Sequence, residues 1–392
     1  MRPLDGITVI AFEQAVAAPF ATRQLADLGA RVIKIERPNI GDFARGYDAT
    51  VKGLSSHFVW LNRSKESLTL DLKHSRAMQI LERLLEGADI VIQNLAPDAA
   101  RRLGLGAELL LPKYPRLIVC DISGYGDGGP YGSRKAYDLL VQAEAGVLSV
   151  TGTAAMPSKV GISVADIAAG MYAYSGILTA LYQREKSGKG TRIEVSLLEA
   201  LAEWMGYPLY YTHFGGTAPA RTGPDHATIV PYGRYQTGDG KSIMLGLQNE
   251  REWVVFCEKV LLQPDLAQDP RYGSNSKRAA NRSEVNALIA EAFATLTAEQ
   301  LIERLDASGI ANARMNTPDE VWEHPQLKAR DRWREMDSPA GLLETLLPPV
   351  TMPDFEARID AVPALGEHTE RILSELGYSS ADITALREAG AV

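Results

Sequence analysis

The stretch ITVIAFEQAVAAPFATRQLADLGARVIKIE, residues 7–36, places two apolar runs, ITVIAF and ARVIKIE, on either side of PFATRQLADLG. The middle part carries Pro19 in its first turn and stops at Gly29, as a helix held between two strands would. The same alternation continues downstream. LTLDL (68–72) reads as a strand, SRAMQILERLLEG (75–87) as a helix, and ADIVIQN (88–94), RLIVCDIS (116–123) and TRIEVS (191–196) as further strands. Short β-rich runs separated by helices of about ten residues are the pattern of βαβ units, so the fold class expected is α/β with a parallel sheet.

Beyond residue 196 the pattern changes. LLEALAEWMGYPLYY is expected to be helical, and GGTAPARTGPD (215–225) is a connector rich in Gly, Pro and Ala. YGRYQT and KSIMLGL around GDG are expected to form a hairpin. Helices are expected at 283–296, at 297–309 behind the capping Thr297, at 317–326, and at 379–390 up to Gly390. A chain of 392 residues with this break divides into two domains, or one large domain with a smaller insertion.

Hydrophobic content of 45% and charged content of 23% are those of an ordinary globular protein. A net charge of −8 argues against nucleic acid as a partner. The two cysteines, Cys120 and Cys257, each sit inside an apolar run and read as buried thiols. The N-terminal MRPLDGITVIAFEQ lacks the apolar centre of a signal peptide, and the uncharged run after Asp166 reads better as a buried helix than as a membrane span. A cytoplasmic protein with no membrane partner is expected.

SGYGDGGPYG (123–132) contains G-x-G-x-x-G at Gly124, Gly126 and Gly129, but Pro130 stands where a dinucleotide fingerprint would open a helix. GISVA (161–165) offers Ser163 as a hydrolase nucleophile with His213, His226, His324 or His368 as base, yet Ala165 replaces the last glycine of the elbow. No H-x-x-x-H or C-x-x-C spacing occurs, so no metal site is expected, and His57, His74 and His324 read as surface or loop residues. SKVGISVADIAAGMYAYSGILTA (158–180) holds a single acid, Asp166. On residues alone Asp166 is either a helix N-cap or a nucleophile kept ionised by first-turn amides and stripped of water by apolar neighbours. Gly161 and Gly170 would let a bulky thioester approach the backbone.

FEQAVAAPFATRQLADLGARVIKIERP, NRSKESLTLDLK, SGYGDGGPYGSRKAYDLL, KVGISVADIAAGMYA, REKSGKGTRIEVSLLEA and LGEHTERILSELGYSSADITALREAG together resemble the class III coenzyme A transferases, such as formyl-CoA and carnitine CoA transferases, in order and almost end to end. The resemblance implies a Rossmann-like large domain from both ends of the chain (1–214 and 329–392), a linker (215–231), a smaller α+β domain (232–328), and an interlocked homodimer. It implies CoA transfer between carboxylic acids, with Asp166 forming a mixed anhydride and then an aspartyl-CoA thioester. No tightly bound cofactor is implied; acyl-CoA is the substrate. The implied CoA contacts are Gln14, Ala15, Val16, Arg37, Leu70, Lys73, Asn94, Leu95, Arg102, Lys135 and Tyr137. The basic ones suit the CoA phosphates. Formyl-CoA transferase has His where Gln14 stands.

The related α-methylacyl-CoA racemases are the alternative activity. Their basic His falls at Tyr137, a poor base at neutral pH. A non-catalytic CoA-binding relative is a further alternative. ARTGPDHATIVPYG (220–233) is similar to the branch acting on small dicarboxylates, where Arg221 or His226 either pairs with a distal carboxylate or anchors the linker.

Overall fold

The computed structural model describes all 392 residues, which form two compact units. The first unit comprises residues 1–147, 160–207 and 327–392; the second comprises 148–159 and 208–326.

The first unit is built on six parallel strands: β1 (Thr8–Phe12), β2 (Arg31–Glu36), β3 (Lys65–Thr69), β4 (Ile90–Gln93), β5 (Ile118–Ser123) and β6 (Arg192–Ser196). Their spatial order is β3-β2-β1-β4-β5-β6, the doubly wound order, which reverses direction between β1 and β4. Central positions such as Val9, Ile10, Ile33, Val91 and Val119 are fully buried, as strands covered on both faces require. α1 (Ala17–Asp27) and α2 (Ser56–Asn62) lie between the first strands, and α3 (Ser75–Glu86) packs Ile80, Leu81 and Leu84 into the core.

Two expected boundaries move. α1 starts two residues before Pro19, and the third strand is Lys65–Thr69 where residues 68–72 were expected. The polar start KES belongs to the strand because its register on β2 begins at Val32↔Lys65, and Lys65 has a buried ionic partner. The apolar pattern alone favoured the run that follows.

α4 (Asp138–Glu144) precedes α5 (Val164–Ser187), and α6 (Leu197–Trp204) follows β6. α5 is long and apolar enough by composition to cross a bilayer, but it packs on α1, α4, α6, β5 and β6. Its last turn includes Arg184 and Lys186, expected to lie in a turn, and Gly188 ends it in the left-handed conformation. A methyl group on Gly170 would sit 2.6 Å from the Ala17 carbonyl oxygen and 3.1 Å from the Phe20 ring, so that glycine serves the α1–α5 crossing.

The 327–392 segment completes this unit. The amide of His368 donates to the Ser67 carbonyl, Thr369 Oγ1 accepts from the Thr69 amide, and the Asp71 amide donates to the Ala391 carbonyl. Ile372, Leu373, Ile383 and Leu386 join the core beside β3.

The second unit contains the antiparallel sheet β7 (Tyr232–Gln236), β8 (Ser242–Gly246) and β9 (Asn312–Arg314), with the expected hairpin between β7 and β8. Helices Arg282–Phe293 and Ala298–Ala307 cover it, and Thr297 makes a capping box with Gln300. Ile243, Trp253, Phe256, Ile289, Phe293 and Leu301 form its core.

Candidate active site

In a doubly wound sheet the loops after adjacent strands diverge where the strand order reverses, and they leave a crevice at the carboxyl ends. A cavity of about 630 Å³ occupies that place, lined by residues following β1, β4 and β5 and by the start of α5. The two diverging loops are tied together by one side chain. Asn94 Oδ1 accepts from the Gln14 amide at 2.8 Å, and Asn94 Nδ2 donates to the Gln14 carbonyl at 2.9 Å.

The loop after β1 stands on buried charge. Lys34 Nζ lies 2.8 Å from Asp42 Oδ2 and 3.2 Å from Glu13 Oε1, and Lys65 Nζ lies 2.7 Å from the same Glu13 oxygen. All four side chains are sealed from solvent. Burial alone would raise Glu13, but Lys34 and Lys65 hold it below the usual carboxylate range. Burial lowers Lys65 to about 7 against the pull of Glu13. The cluster reaches the cavity through Asp42 Oδ1, which accepts from the Ala15 amide at 3.1 Å and holds Ala15 at φ 59°, a left-handed conformation an alanine seldom adopts. Val16 then leads into α1 with no side-chain cap and no acid in the first turn, so no side chain satisfies the amides at this helix start.

Asp166 is the third residue of α5, not its N-cap, and is half-buried on the cavity wall. The first-turn amides are occupied by another acid. Asp138, at the start of α4, accepts from the Ala165 amide at 2.8 Å and from the Asp166 amide at 3.4 Å through Oδ1. Its Oδ2 accepts from Gln142 Nε2 at 2.7 Å, and Gln142 Oε1 accepts from the Val160 amide at 2.9 Å. The expectation that amides would keep Asp166 ionised is therefore overturned. Burial, and then the neighbouring Asp138 carboxylate, push Asp166 up to about 7. Such a carboxylate is poorly solvated, faces open space, and is poised between its two protonation states at neutral pH.

The cavity brings together Gln14, Ala15, Val16, Asn94, Leu95, Lys135, Tyr137 and Asp166 from the residues singled out in the sequence. Arg37, Lys73 and Arg102 are exposed and lie outside its lining, and Leu70 is in the hydrophobic core. Leu70 therefore has only main-chain atoms to offer a ligand. Gly161 faces open space, whereas Gly170 is taken by helix packing.

Arg221 and His226 belong to the second unit. The Arg221 guanidinium donates to the carbonyls of Thr153 at 3.0 Å, Ala154 at 3.1 Å and Ser149 at 3.4 Å. His226 Nδ1 accepts from the amides of Thr228 and Ile229, and its ring stacks on Tyr232 at 5.2 Å. Arg221 thus ties the connector to the 149–154 segment, and His226 braces its own loop.

Sequence reasoning missed Asp138, Tyr47 and His57, all on the cavity wall. Asp138 was within reach, because an acid opening DLLVQAE directly after Tyr137 marks a helix start. His57, expected at the surface, is the second residue of α2 and carries no local signal. Tyr47 is raised to about 12 by burial, then by Asp42, Asp166 and Tyr137, so its hydroxyl stays a donor.

The family model described as CoA-transferase family III matches residues 4–369. Succinyl-CoA:glutarate CoA-transferase of Homo sapiens is 33% identical over 399 residues, covering 100% of this chain and 90% of that protein. Succinyl-CoA–D-citramalate CoA-transferase of Chloroflexus aurantiacus is 31% identical over 397 residues, covering 98% and 97%. The crystal structure of a CAIB/BAIF family protein from Brucella suis superposes with a TM-score of 0.84 at 32% identity, covering 96% of this chain and 99% of that one.

Proposed function

We propose, since this chain belongs to CoA-transferase family III, that it moves CoA from a small dicarboxylyl-CoA to a free dicarboxylic acid with Asp166 as nucleophile. The observation that carries this reading is a half-buried carboxylate facing a cavity at the crossover of the sheet. Relatives named for transfer from succinyl-CoA to glutarate and to citramalate support dicarboxylates as the substrate class.

In the first step an Asp166 carboxylate oxygen attacks the thioester carbonyl carbon, and the C–S bond breaks to give a mixed anhydride and CoA thiolate. The thiolate then attacks the Asp166 carbonyl carbon, releasing the donor acid and leaving an aspartyl-CoA thioester. The acceptor carboxylate reverses both steps: it displaces thiolate to form a new anhydride, and the thiolate takes the acceptor acyl group and frees Asp166. Each step passes through an oxyanion. The uncapped start of α1 and the Tyr47 hydroxyl, which line the same cavity as Asp166, would supply the donors. Gln14, Ala15, Val16, Asn94, Leu95, Lys135 and Tyr137 would border the thioester arm, while Arg37, Lys73, Arg102 and the Leu70 backbone, outside the cavity, would meet more distant parts of CoA. CoA enters and leaves as substrate.

The enzyme is read as a homodimer of interlocked subunits in the cytoplasm. Exposed Ile162, Leu140, Tyr182 and Trp204 on the first unit support a partner surface, and two buried free thiols suit a reducing compartment.

Incubation with succinyl-CoA followed by hydroxylamine should convert Asp166 to its hydroxamate, located by peptide mass spectrometry; an unmodified Asp166 in protein that turns over would sink the mechanism. Because the nucleophile is the anion and Asp166 titrates at about 7, turnover should fall below that pH and level off above it. Asp138→Asn keeps an oxygen for the two amides but removes the charge, so it should move the rise toward acid. A kcat/KM profile that stays flat across pH 7 in both proteins would remove Asp166 as the titrating group.

A further inference from the structure

Beside Asp166 the cavity wall carries an aromatic file that the exchange above does not use for recognition: Phe43, Tyr47 and His57. The rings of Phe43 and Tyr47 lie 5.8 Å apart, and Tyr47 meets the His57 imidazole edge-on at 5.4 Å and 89°. The file is fixed at its near end, where the Phe43 amide donates to Gln14 Oε1 at 3.2 Å.

His57 is half-buried, and its Nδ1 is sealed with no hydrogen-bond partner. A hydrogen on that atom would leave a buried N–H unpaired, which costs more than a bare lone pair in the same place. The neutral ring therefore carries its hydrogen on Nε2. Nε2 is not sealed in this way and has no partner within the chain. An N–H donor thus stands among aromatic rings on the wall that holds the nucleophile. The apolar length of an acid can lie along Phe43 and Tyr47 without help. A second carboxylate at its far end cannot, because it gives up water there and needs a donor.

We propose that His57 Nε2–H binds the remote carboxylate of a dicarboxylic substrate and thereby sets the preference for dicarboxylates over monocarboxylates. This rests on the CoA-transferase reading of the cavity. Arg221, which with His226 was the sequence's candidate for that task, is committed to three carbonyl groups.

The test compares glutarate with pentanoate as acceptors, using the intact wild-type chain, His57→Phe and His57→Gln. Acceptor kcat/KM is read, since in a ping-pong exchange it does not depend on the donor. A hydrogen bond to a charged group predicts that His57→Phe lowers glutarate use roughly 10- to 100-fold with pentanoate little changed. His57→Gln keeps an N–H at nearly the same reach and should restore most of the preference. Equal loss of both acids in His57→Phe, or no loss of glutarate, overturns the assignment, as does a wild type that favours pentanoate. A wild type that hands CoA to neither acid, while remaining folded by its melting curve, overturns the transferase reading itself and this inference with it.

Discussion

Asp166→Asn is expected to slow CoA transfer by on the order of 10³- to 10⁶-fold, the range seen when a covalent nucleophile is removed. The change is nearly isosteric, but an amide cannot attack the thioester or carry the anhydride. No nearby acid can stand in. Asp138, the closest carboxylate on the wall, has one oxygen held by the Ala165 and Asp166 amides and the other by Gln142. CoA affinity, read by calorimetric titration, should be nearly unchanged, because the residues bordering the ligand are intact. The melting temperature should hold or rise, since the variant no longer keeps a partly buried carboxylate against Asp138. Asp166→Ala, measured alongside, removes slow deamidation of Asn as a source of activity. Turnover near wild type in that alanine variant would end the assignment of Asp166.

Glu13→Ala should be the most damaging single change to stability outside the apolar core, at about 3–5 kcal/mol. Its carboxylate accepts from Lys34, Lys65 and Thr22 in a place without water. Removing it leaves the Lys34 and Lys65 amino groups buried side by side, with Asp42 as the one carboxylate still bonded to Lys34 and only the Pro19 carbonyl and Asn62 Oδ1 left to Lys65. Urea unfolding should show the midpoint falling with the slope retained. The damage should also reach the active site, because Asp42 would be drawn toward the lysines and loosen its hold on the Ala15 amide. A loss below about 1 kcal/mol would mean that the lysines shed their protons at little cost, and that the cluster is not what seats the loop.

The parallel strands and the two helices bearing on the site were legible because they are local. Apolar runs of β-branched residues, Pro19 near a helix start and Gly29 after a helix end each announce themselves within a few positions. The buried ion cluster was not legible. Lys34 in ARVIKIE and Lys65 in SKESLT look like solvent-side charges, and only the pairing of β2 and β3 beside β1 brings them to Glu13. Asp166 could be singled out by its isolation, yet its protonation could not, because that depends on Asp138, 28 residues earlier, taking the amides that would have stabilised it. His57 was passed over because nothing in SSHFVWLN distinguishes an imidazole facing a cavity from one facing water.

The segment from Leu327 onward returns to the first unit and lays its helices beside β3. A ribosome makes that segment only after the second unit, so the growing polypeptide carries the complete six-stranded sheet with the flank at β3 bare while some 120 intervening residues are translated. The catalytic half is thus completed only once residues 327–392 emerge, which makes the interval before them a natural point of vigilance for chaperones.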